Sequence, residues 1–253
     1  MPVDAEQAAR ELTSAWQRLC CALPYGWAQR AGGAVACVTT VALPTLNGVW
    51  VDELDAPVEL VAQLLDRVAA EGLPYCLQLR PGSGEALGEL ARERGMSREQ
   101  DVPLMVLQEP DRLARAAPGG LAIHTLAPAQ AHRHASVAAA GFEAHEEHFR
   151  KLVAPALLEL AGVRCYVGEV AGEPAVSGLG YTTGDGVGIF NIATPPAWRR
   201  RGYGAAMTAR AIADGLADGG RWAWLQSSPA GYSVYEQLGF HTLESWHTWL
   251  AMP

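Results

Sequence analysis

Apolar residues in the first 110 positions alternate between helical and strand spacing, which predicts a mixed α/β fold. A helix is expected at 4–23, and Pro24 ends it. A turn signal rich in Pro, Asn and Gly follows, with short strands on either side of it. The predicted elements after the first helix are strands at 34–43 and 48–51, a helix at 57–71, a strand at 75–79, a helix at 85–94 and a strand at 102–107.

A linker rich in Pro, Gly and Ala at 109–120 separates this pattern from a second one. The second pattern includes strands joined by short Gly-containing turns, which are typical of antiparallel hairpins. Pro155 marks either a kink or the start of a new helix within the stretch 146–160. The other predicted elements are a strand at 122–126, a helix at 129–142, strands at 163–170, 175–181 and from 187 to 193, an Ala-rich helix, a strand at 222–226, a helix at 230–238 and a strand at 243–250.

The turn before the Ala-rich helix carries the most distinctive chemistry in the chain. Gly202 and Gly204 lack a Cβ, so the main chain at the start of that helix can approach an anion closely. Arg199, Arg200 and Arg201 add positive charge at the positive end of the helix dipole. A pyrophosphate is therefore an expected ligand, although these glycines form neither a G-x-x-x-x-G-K-[ST] loop nor a G-x-G-x-x-G dinucleotide loop.

The spacing Arg199-x-x-Gly202-x-Gly204 resembles the acyl-CoA pyrophosphate loop of the GNAT N-acetyltransferase superfamily. Residues 228–240, which carry Tyr235 and end in Leu-Gly-Phe, resemble the second signature of that superfamily. The resemblance covers roughly residues 120–253. It implies a mixed-sheet α/β fold and an activity that moves an acetyl group from acetyl-CoA to a primary amine by direct transfer.

The order of strands and helices in the first half recurs in the second, which suggests two tandem GNAT-like acyl-CoA N-acyltransferase folds with domains at 1–115 and 119–253. The first copy has an acidic turn at 52–57 where the second has its Arg/Gly loop, and it has Ala91 where the second has Tyr235. An acidic turn would repel a pyrophosphate. We therefore interpret the first copy as degenerate and non-catalytic, with a role in structure or in shaping the acceptor cleft.

The resemblance also implies roles for individual residues. Tyr235 matches the general acid that protonates the departing thiolate, since a phenol with a pKa of about 10 is still protonated when a thiolate leaves. Ser228 stands where many relatives have a CoA-contacting Asn, and Arg200 replaces a frequent Gly, so the turn must form with a Cβ present. The expected acetyl-CoA-binding residues are Ile192, Ala193, Thr194, Arg199, Arg200, Arg201, Gly202, Tyr203, Gly204, Ala205 and Ser228.

The general base is not identified by the sequence. Glu143, His145, Glu146 and His148 lie where relatives often place acceptor-binding helices, but the same residues fit an exposed amphipathic helix. Their pattern is not H-E-x-x-H, so no metal is predicted. Four tryptophans on predicted strands fit a packed core or the wall of an acceptor pocket, and they are Trp222, Trp224, Trp246 and Trp249.

Composition narrows the class of protein further. The net charge of −8 gives no basic field for nucleic acid or for an anionic membrane, and no window is apolar enough to predict a membrane span. Five cysteines without C-x-x-C spacing are typical of free thiols in a reducing cytoplasm. A small-molecule or Lys-type amine is the expected acceptor, and a homodimer is compatible with the sequence. The alternative is a catalytically silent acyl-CoA-binding or interaction module.

Overall fold

The computed structural model describes residues 2–113 and 118–252. Within these ranges twelve strands and eight α-helices follow one another along the chain. In order they are α1 (Ala5–Ala22), β1 (Trp27–Ala31), β2 (Ala34–Val38), β3 (Asn47–Val51), α2 (Val58–Ala69), β4 (Tyr75–Leu79), α3 (Glu85–Glu93), β5 (Ser97–Arg98), β6 (Val102–Leu107), β7 (Leu121–Thr125), α4 (Ala131–Phe142), α5 (Glu146–Leu152), α6 (Pro155–Leu158), β8 (Val163–Val170), β9 (Glu173–Thr183), β10 (Gly186–Ala193), α7 (Tyr203–Ala217), β11 (Trp222–Gln226), α8 (Pro229–Gln237) and β12 (His241–Ala251).

The N-terminal unit consists of Asp4–Leu104 together with Thr242–Pro253. Its main strands lie in the order β1-β2-β3-β4-β12, and β5 also pairs with β12. Strands β3 and β4 are parallel, and the other pairs are antiparallel. The apolar face of α2 packs on this sheet, with Val61, Leu64 and Leu65 in one core with the strands. Burial of such side chains is the main term that stabilises the unit.

The C-terminal unit consists of Met1–Val3 together with Met105–His241. Its strands lie in the order β6-β11-β10-β9-β8-β7, and β10 is parallel to β11 while β7 to β10 form an antiparallel meander. Helix α7 packs Met207, Ala211 and Ile212 into the core of this sheet. The parallel pair β10 and β11, with α7 between them in sequence, is the part of the fold that positions the candidate site.

The two units divide the chain differently from domains at 1–115 and 119–253. Strand β12 follows α8 in sequence, yet it pairs with β4, so that His247 lies opposite Leu79 and Ala251 opposite Tyr75. Conversely, Met105 and Leu107 of β6 belong to the core of the C-terminal unit. Each unit therefore takes its last strand from the other half of the chain. The interpretation of the first copy as degenerate stays a prediction.

Most predicted elements coincide with observed ones, and the exceptions have local causes. Strand β1 was not predicted because its residues are polar or only half-buried and do not alternate clearly. Strand β2 ends earlier than the predicted strand, since Thr40 has φ +64° and the Asn47 amide holds the loop through hydrogen bonds to Thr39 N and Val41 O. Pro155 begins a new helix rather than kinking one.

Over the described ranges, no helix combines the length and the apolar character that crossing a bilayer requires.

Candidate functional site

Strand β10 carries a β-bulge near its C-terminal end. Phe190 and Ala193 both pair with β9, but between these two pairs β10 contains one residue more than β9 does. Asn191 has φ +50° there, in the left-handed region that Asn tolerates better than most residues. The bulge takes Asn191 and Ile192 out of register with β9 at the end of β10 that leads into the turn before α7.

The two parallel strands pair only at their beginnings. Residues Gly186–Gly188 lie opposite Trp222–Trp224, although β10 continues to Ala193 and β11 to Gln226. Beyond the paired stretch the ring of Phe190 meets Trp224 edge-on, with 5.4 Å between ring centroids. The carboxyl ends of β10 and β11 are therefore open to an extended ligand that brings its own hydrogen-bonding groups, and this is where ligands bind in parallel α/β sheets.

The turn after β10 exposes the N-terminus of α7. Gly202 is the N-cap residue with φ +78°, and no side chain caps the helix. The amides of Tyr203, Gly204 and Ala205 begin the helix, so they have no carbonyl one turn earlier to accept them. Arg200 has φ +60° despite its Cβ, which costs about 1 kcal/mol relative to Gly. The turn thus presents several donors to an anion.

Two of the three exposed arginines at this turn make no hydrogen bond or ion pair with the described residues. Arg201 lies over the ring of Trp198, with 5.1 Å from its Cζ to the ring centroid. Arg200 makes no hydrogen bond or ion pair to residues 2–113 or 118–252. Both guanidinium groups can therefore turn toward a phosphate without breaking a polar contact in the described structure.

Arg199 is different, because its guanidinium already has partners. It donates to Thr194 O at 3.1 Å, to Gly141 O at 2.8 Å and to Glu143 Oε1 at 2.7 Å. These contacts link the end of β10 with the end of α4. The sequence pattern gives no hint of this, since the partners on α4 lie 56 and 58 residues away.

Helix α8 carries the two candidate residues of the second signature, Ser228 and Tyr235, beside the core of the C-terminal unit. Ser228 is the N-cap of α8, and its hydroxyl oxygen accepts from Gly231 N at 3.2 Å. Tyr235 packs against the core that contains Tyr203 and Met207 of α7, and its ring lies 5.9 Å from that of Phe240. Burial raises the pKa of the Tyr235 phenol to about 12, so this hydroxyl is protonated at neutral pH.

The turn between α4 and α5 holds the candidate acceptor-side residues. Glu143 ends α4 with φ +55°, and His145 is the N-cap residue of α5. The ring of His145 meets that of His148 edge-on at 5.7 Å, while the buried Nδ1 of His148 lacks a hydrogen-bond partner. Hydrogen bonds to the carboxylate of Glu146 lower its pKa, and the bond from Arg150 has a larger effect than the bond from Ser136. No contact joins any of these side chains to Tyr235 in the described ranges.

Possible metal ligands and the four tryptophans are the remaining candidate features from the sequence. Within residues 2–113 and 118–252, no three His, Cys, Asp or Glu side chains are grouped as metal ligands would be. All four tryptophans are buried, and Trp249 packs in the core of the N-terminal unit. They line packed cores, as the sequence allowed. The four tryptophans are Trp222, Trp224, Trp246 and Trp249.

The corresponding junction in the N-terminal unit is closed. Strands β3 and β4 stay paired to their ends, where Val51 lies opposite Leu79. The amides of Asp52 and Glu53 both donate to Gly33 O, at 2.9 and 3.0 Å. Arg80, which follows β4 and is 6% exposed, donates to Asp52 O at 2.9 Å. Two main-chain amides of this turn and the carbonyl of Asp52 are thus already hydrogen-bonded within the protein.

The Asp52 carboxylate, predicted to repel an anion, is buried and paired. Arg30 donates to both of its oxygens, at 3.0 and 2.8 Å, and Thr13 donates its hydroxyl to the same carboxylate. The carboxylate therefore contributes to packing within the N-terminal unit instead of facing a ligand.

Comparisons with known proteins find a family match in the second half of the chain. The model of the acetyltransferase (GNAT) family matches residues 136–240, a stretch that includes the β-bulge, the turn before α7 and Tyr235. No curated protein matches the chain.

Solved structures resemble nearly the whole chain. A GCN5-related N-acetyltransferase from Kribbella flavida is 20% identical, with a TM-score of 0.71 over 97% of this chain and 96% of that one. A GCN5-related N-acetyltransferase from Sphaerobacter thermophilus is 16% identical, with a TM-score of 0.61 over 96% and 84%. A tandem GNAT protein from the clavulanic acid biosynthesis pathway is 14% identical, with a TM-score of 0.61 over 99% and 97%. At these identities the likeness concerns the fold, and it confirms the predicted tandem GNAT-like α/β architecture.

Proposed function

We propose that the C-terminal unit is an acetyl-CoA-dependent N-acetyltransferase, because residues 136–240 match the model of the acetyltransferase (GNAT) family and the chain resembles a tandem GNAT protein in fold. One observation supports the proposal most strongly. Strands β10 and β11 stop pairing before their carboxyl ends, and no side chain caps the N-terminus of α7 that follows β10. Family membership supports acyl transfer in general. Acetyl-CoA and a primary amine are the particular donor and acceptor that we propose.

The pyrophosphate of acetyl-CoA is proposed to bind the turn before α7. The amides of Gly202 to Ala205 would donate to its oxygens, and the side chains of Arg200 and Arg201 would supply positive charge. Gly202 and Gly204 place no Cβ beside these amides. A Cβ at position 202 would lie 3.3 Å from Pro118 Cγ, and one at position 204 would lie 3.6 Å from Thr194 Oγ1.

The pantetheine arm and the thioester are proposed to lie between β10 and β11. Main-chain groups of Asn191 to Thr194 would hydrogen-bond to the arm, because the bulge has removed part of this stretch from the β9 ladder. An amide aimed at the thioester carbonyl would also stabilise the negative charge that forms on that oxygen as the amine attacks. Acetyl-CoA supplies the acetyl group as a reactive thioester.

Tyr235 is the proposed general acid. Transfer forms a bond between the amine nitrogen and the carbonyl carbon and breaks the bond between that carbon and sulfur. The departing thiolate takes the phenolic proton of Tyr235, and the attacking nitrogen loses a proton to water or to a base. Because burial raises the pKa of Tyr235 to about 12, the proton to be donated is present across the neutral range.

The N-terminal unit is proposed to be non-catalytic, because its β3–β4 pair is closed and the amides of Asp52 and Glu53 both donate to Gly33 O. A cytoplasmic protein that acts on a small-molecule or Lys-type amine is consistent with the net charge of −8 and with the absence of spanning helices from the described ranges. Neither nucleic acid nor a membrane is a proposed partner. A homodimer stays a prediction.

Calorimetric titration of the purified chain with acetyl-CoA tests the cofactor site. We expect micromolar binding by the wild type and at least a roughly 100-fold weaker Kd for Gly202→Glu, since the new carboxylate lies in the proposed phosphate cradle. Gly219→Glu is the matched control. Gly219 has φ +101° and open space around it at the other end of α7, so it introduces similar backbone strain and the same charge away from the site.

Binding that is lost in Gly202→Glu and kept in Gly219→Glu would support the site. A folded wild type that does not bind acetyl-CoA would contradict the proposal and favour an interaction protein. Equal losses in both variants would attribute the effect to backbone strain rather than to the phosphate cradle.

A further inference from the structure

The side chain of Arg199 is held more firmly than its place in a cofactor loop would suggest. Three hydrogen bonds fix its guanidinium, two of them to backbone carbonyls and one to a carboxylate. Its neighbours Arg200 and Arg201 are free to turn toward an anion, as described above. For Arg199 to do the same, it would have to give up contacts at both Gly141 and Glu143.

The carbonyl of Gly141 lies in the last turn of α4, where no amide of the helix remains to donate to it. A positively charged donor at this end also interacts favourably with the helix dipole. Gly141 itself allows the contact, because a Cβ there would lie 2.8 Å from Ala193 Cβ and 2.9 Å from Thr194 N. The end of α4 therefore sits directly on the backbone at the end of β10.

Glu143 supplies the third contact from an unusual backbone position. Its φ of +55° reverses the chain between α4 and α5, and its carboxylate reaches Arg199 Nη2 at 2.7 Å. Surface ion pairs by themselves contribute little, and both side chains here are about half exposed or more. The planar guanidinium, bonded to two carbonyls at once, gives this pair a fixed geometry that an isolated pair lacks.

We propose that Arg199 is a positioning residue that holds the α4–α5 turn, residues 142–148, against the end of β10. The effect on the amine rests on the proposed function. In that function the turn forms the acceptor side of the site, and Arg199 fixes the position of the turn relative to the thioester. Arg199 thus positions the acceptor side of the site, whereas Arg200 and Arg201 supply charge to the phosphates.

Hydrogen–deuterium exchange of residues 142–148 in the ligand-free full-length chain tests the link without reference to catalysis. We expect Arg199→Gln and Glu143→Gln each to exchange about tenfold faster there than the wild type, because each removes a contact that closes the turn. The double variant should exchange no faster than Arg199→Gln alone. Glu147→Gln is the matched control, since it removes an exposed carboxylate on α5 that pairs only with Lys151 at 3.2 Å.

Titration with acetyl-CoA and kinetics then separate positioning from phosphate binding. We expect Arg199→Gln to keep the Kd for acetyl-CoA within about threefold, while Arg200→Gln weakens it about tenfold through loss of a charge-assisted contact. With spermidine, kanamycin and Nα-acetyl-lysine amide as acceptors, Arg199→Gln should raise the KM of whichever amine reacts about tenfold and leave the KM of acetyl-CoA unchanged.

Unchanged exchange in both Arg199→Gln and Glu143→Gln would overturn the inference, and so would a tenfold loss of acetyl-CoA affinity in Arg199→Gln with none in Glu143→Gln. A wild type that binds no acetyl-CoA would refute the proposed function instead. In that case the exchange data alone would still decide whether Arg199 holds the turn.

Discussion

The junctions β3–α2 and β10–α7 share one connection, a strand that leads through a turn into a helix and on to a parallel strand, but they use their backbone groups in opposite ways. In the first, β3 and β4 pair to their ends and Gly33 O accepts the amides of the turn. In the second, pairing stops after Gly188 and a bulge follows. The comparison indicates that a cleft depends on where strand pairing ends, and that the fold alone does not create one.

Removing Arg80 should produce the largest effect, because this side chain closes the first junction. It is buried between Asp52 O and the carboxylate of Glu244, which is itself 10% exposed. Arg80→Met would leave Glu244 buried without its partner, and we expect a loss of about 3–5 kcal/mol of unfolding free energy by urea titration. Arg10→Gln, which removes one partner of an exposed ion pair with Glu6, should cost less than about 1 kcal/mol.

Acetyl-CoA binding gives the same variant a second readout. If the N-terminal unit holds no acyl-CoA, folded Arg80→Met should bind acetyl-CoA as the wild type does. A loss of affinity without a loss of structure would contradict the assignment of the site to the β10–α7 junction.

Acid should destabilise the C-terminal unit through His134 on α4. This ring is fully buried, its Nδ1 lies 3.3 Å from Tyr166 O, and the backbone of Gly178 is its other polar neighbour. Burial lowers the pKa of His134 to about 4 from 6.5, so the folded state keeps the ring neutral. The stabilisation is fully present above pH 6.5 and falls by about 3 kcal/mol as the pH drops toward 4, because only the unfolded chain takes up the proton.

The pH dependence of the urea midpoint measures this effect. His134→Gln should flatten the decline, whereas His132→Gln, at an exposed position on the same helix, should leave it unchanged. The single histidine of the N-terminal unit, His247, is only partly buried, so we expect this dependence from the C-terminal unit alone. A steep decline that survives in His134→Gln would show that other groups are responsible.

Tyr235→Phe should lower kcat about 100-fold without changing the Kd for acetyl-CoA, since it removes a proton donor and keeps the ring. Because the pKa of Tyr235 is raised to about 12, the ratio between wild type and variant should be the same at pH 7 and pH 9. Tyr232→Phe on the same helix serves as the control for loss of a hydroxyl. An unchanged rate would exclude Tyr235 as the acid, and binding without turnover in the wild type would favour a silent acyl-CoA-binding module.

The sequence predicted the features that depend on local backbone chemistry. Gly202 and Gly204 indicate an anion-binding turn because only a few residue types suit such a backbone, and Pro155 indicates a helix start for the same kind of reason. The bulge at Asn191 left a weaker signal, since Asn tolerates positive φ but also occurs in ordinary turns. Strand β1 was not predicted because its five residues do not alternate clearly between apolar and polar side chains.

Features that depend on a distant partner could not be predicted. The contacts of Arg199 with α4 and the closure of β3 on β4 both depend on residues far away in sequence. The exchange of last strands is the clearest example. Strand β6 is mostly apolar and β12 mixes polar and apolar residues, and nothing in either pattern indicates which sheet the strand joins.

The pairing of β12 with β4 also determines when the N-terminal unit can be completed during translation. Arg80 and its partner Glu244 are 164 residues apart, so at typical elongation rates the ribosome needs on the order of ten to thirty seconds to deliver the strand that completes the N-terminal unit. Until then β4 has an unpaired edge, which is open to wrong partners. The half of the chain that is made first therefore cannot complete its sheet until the other half has been made.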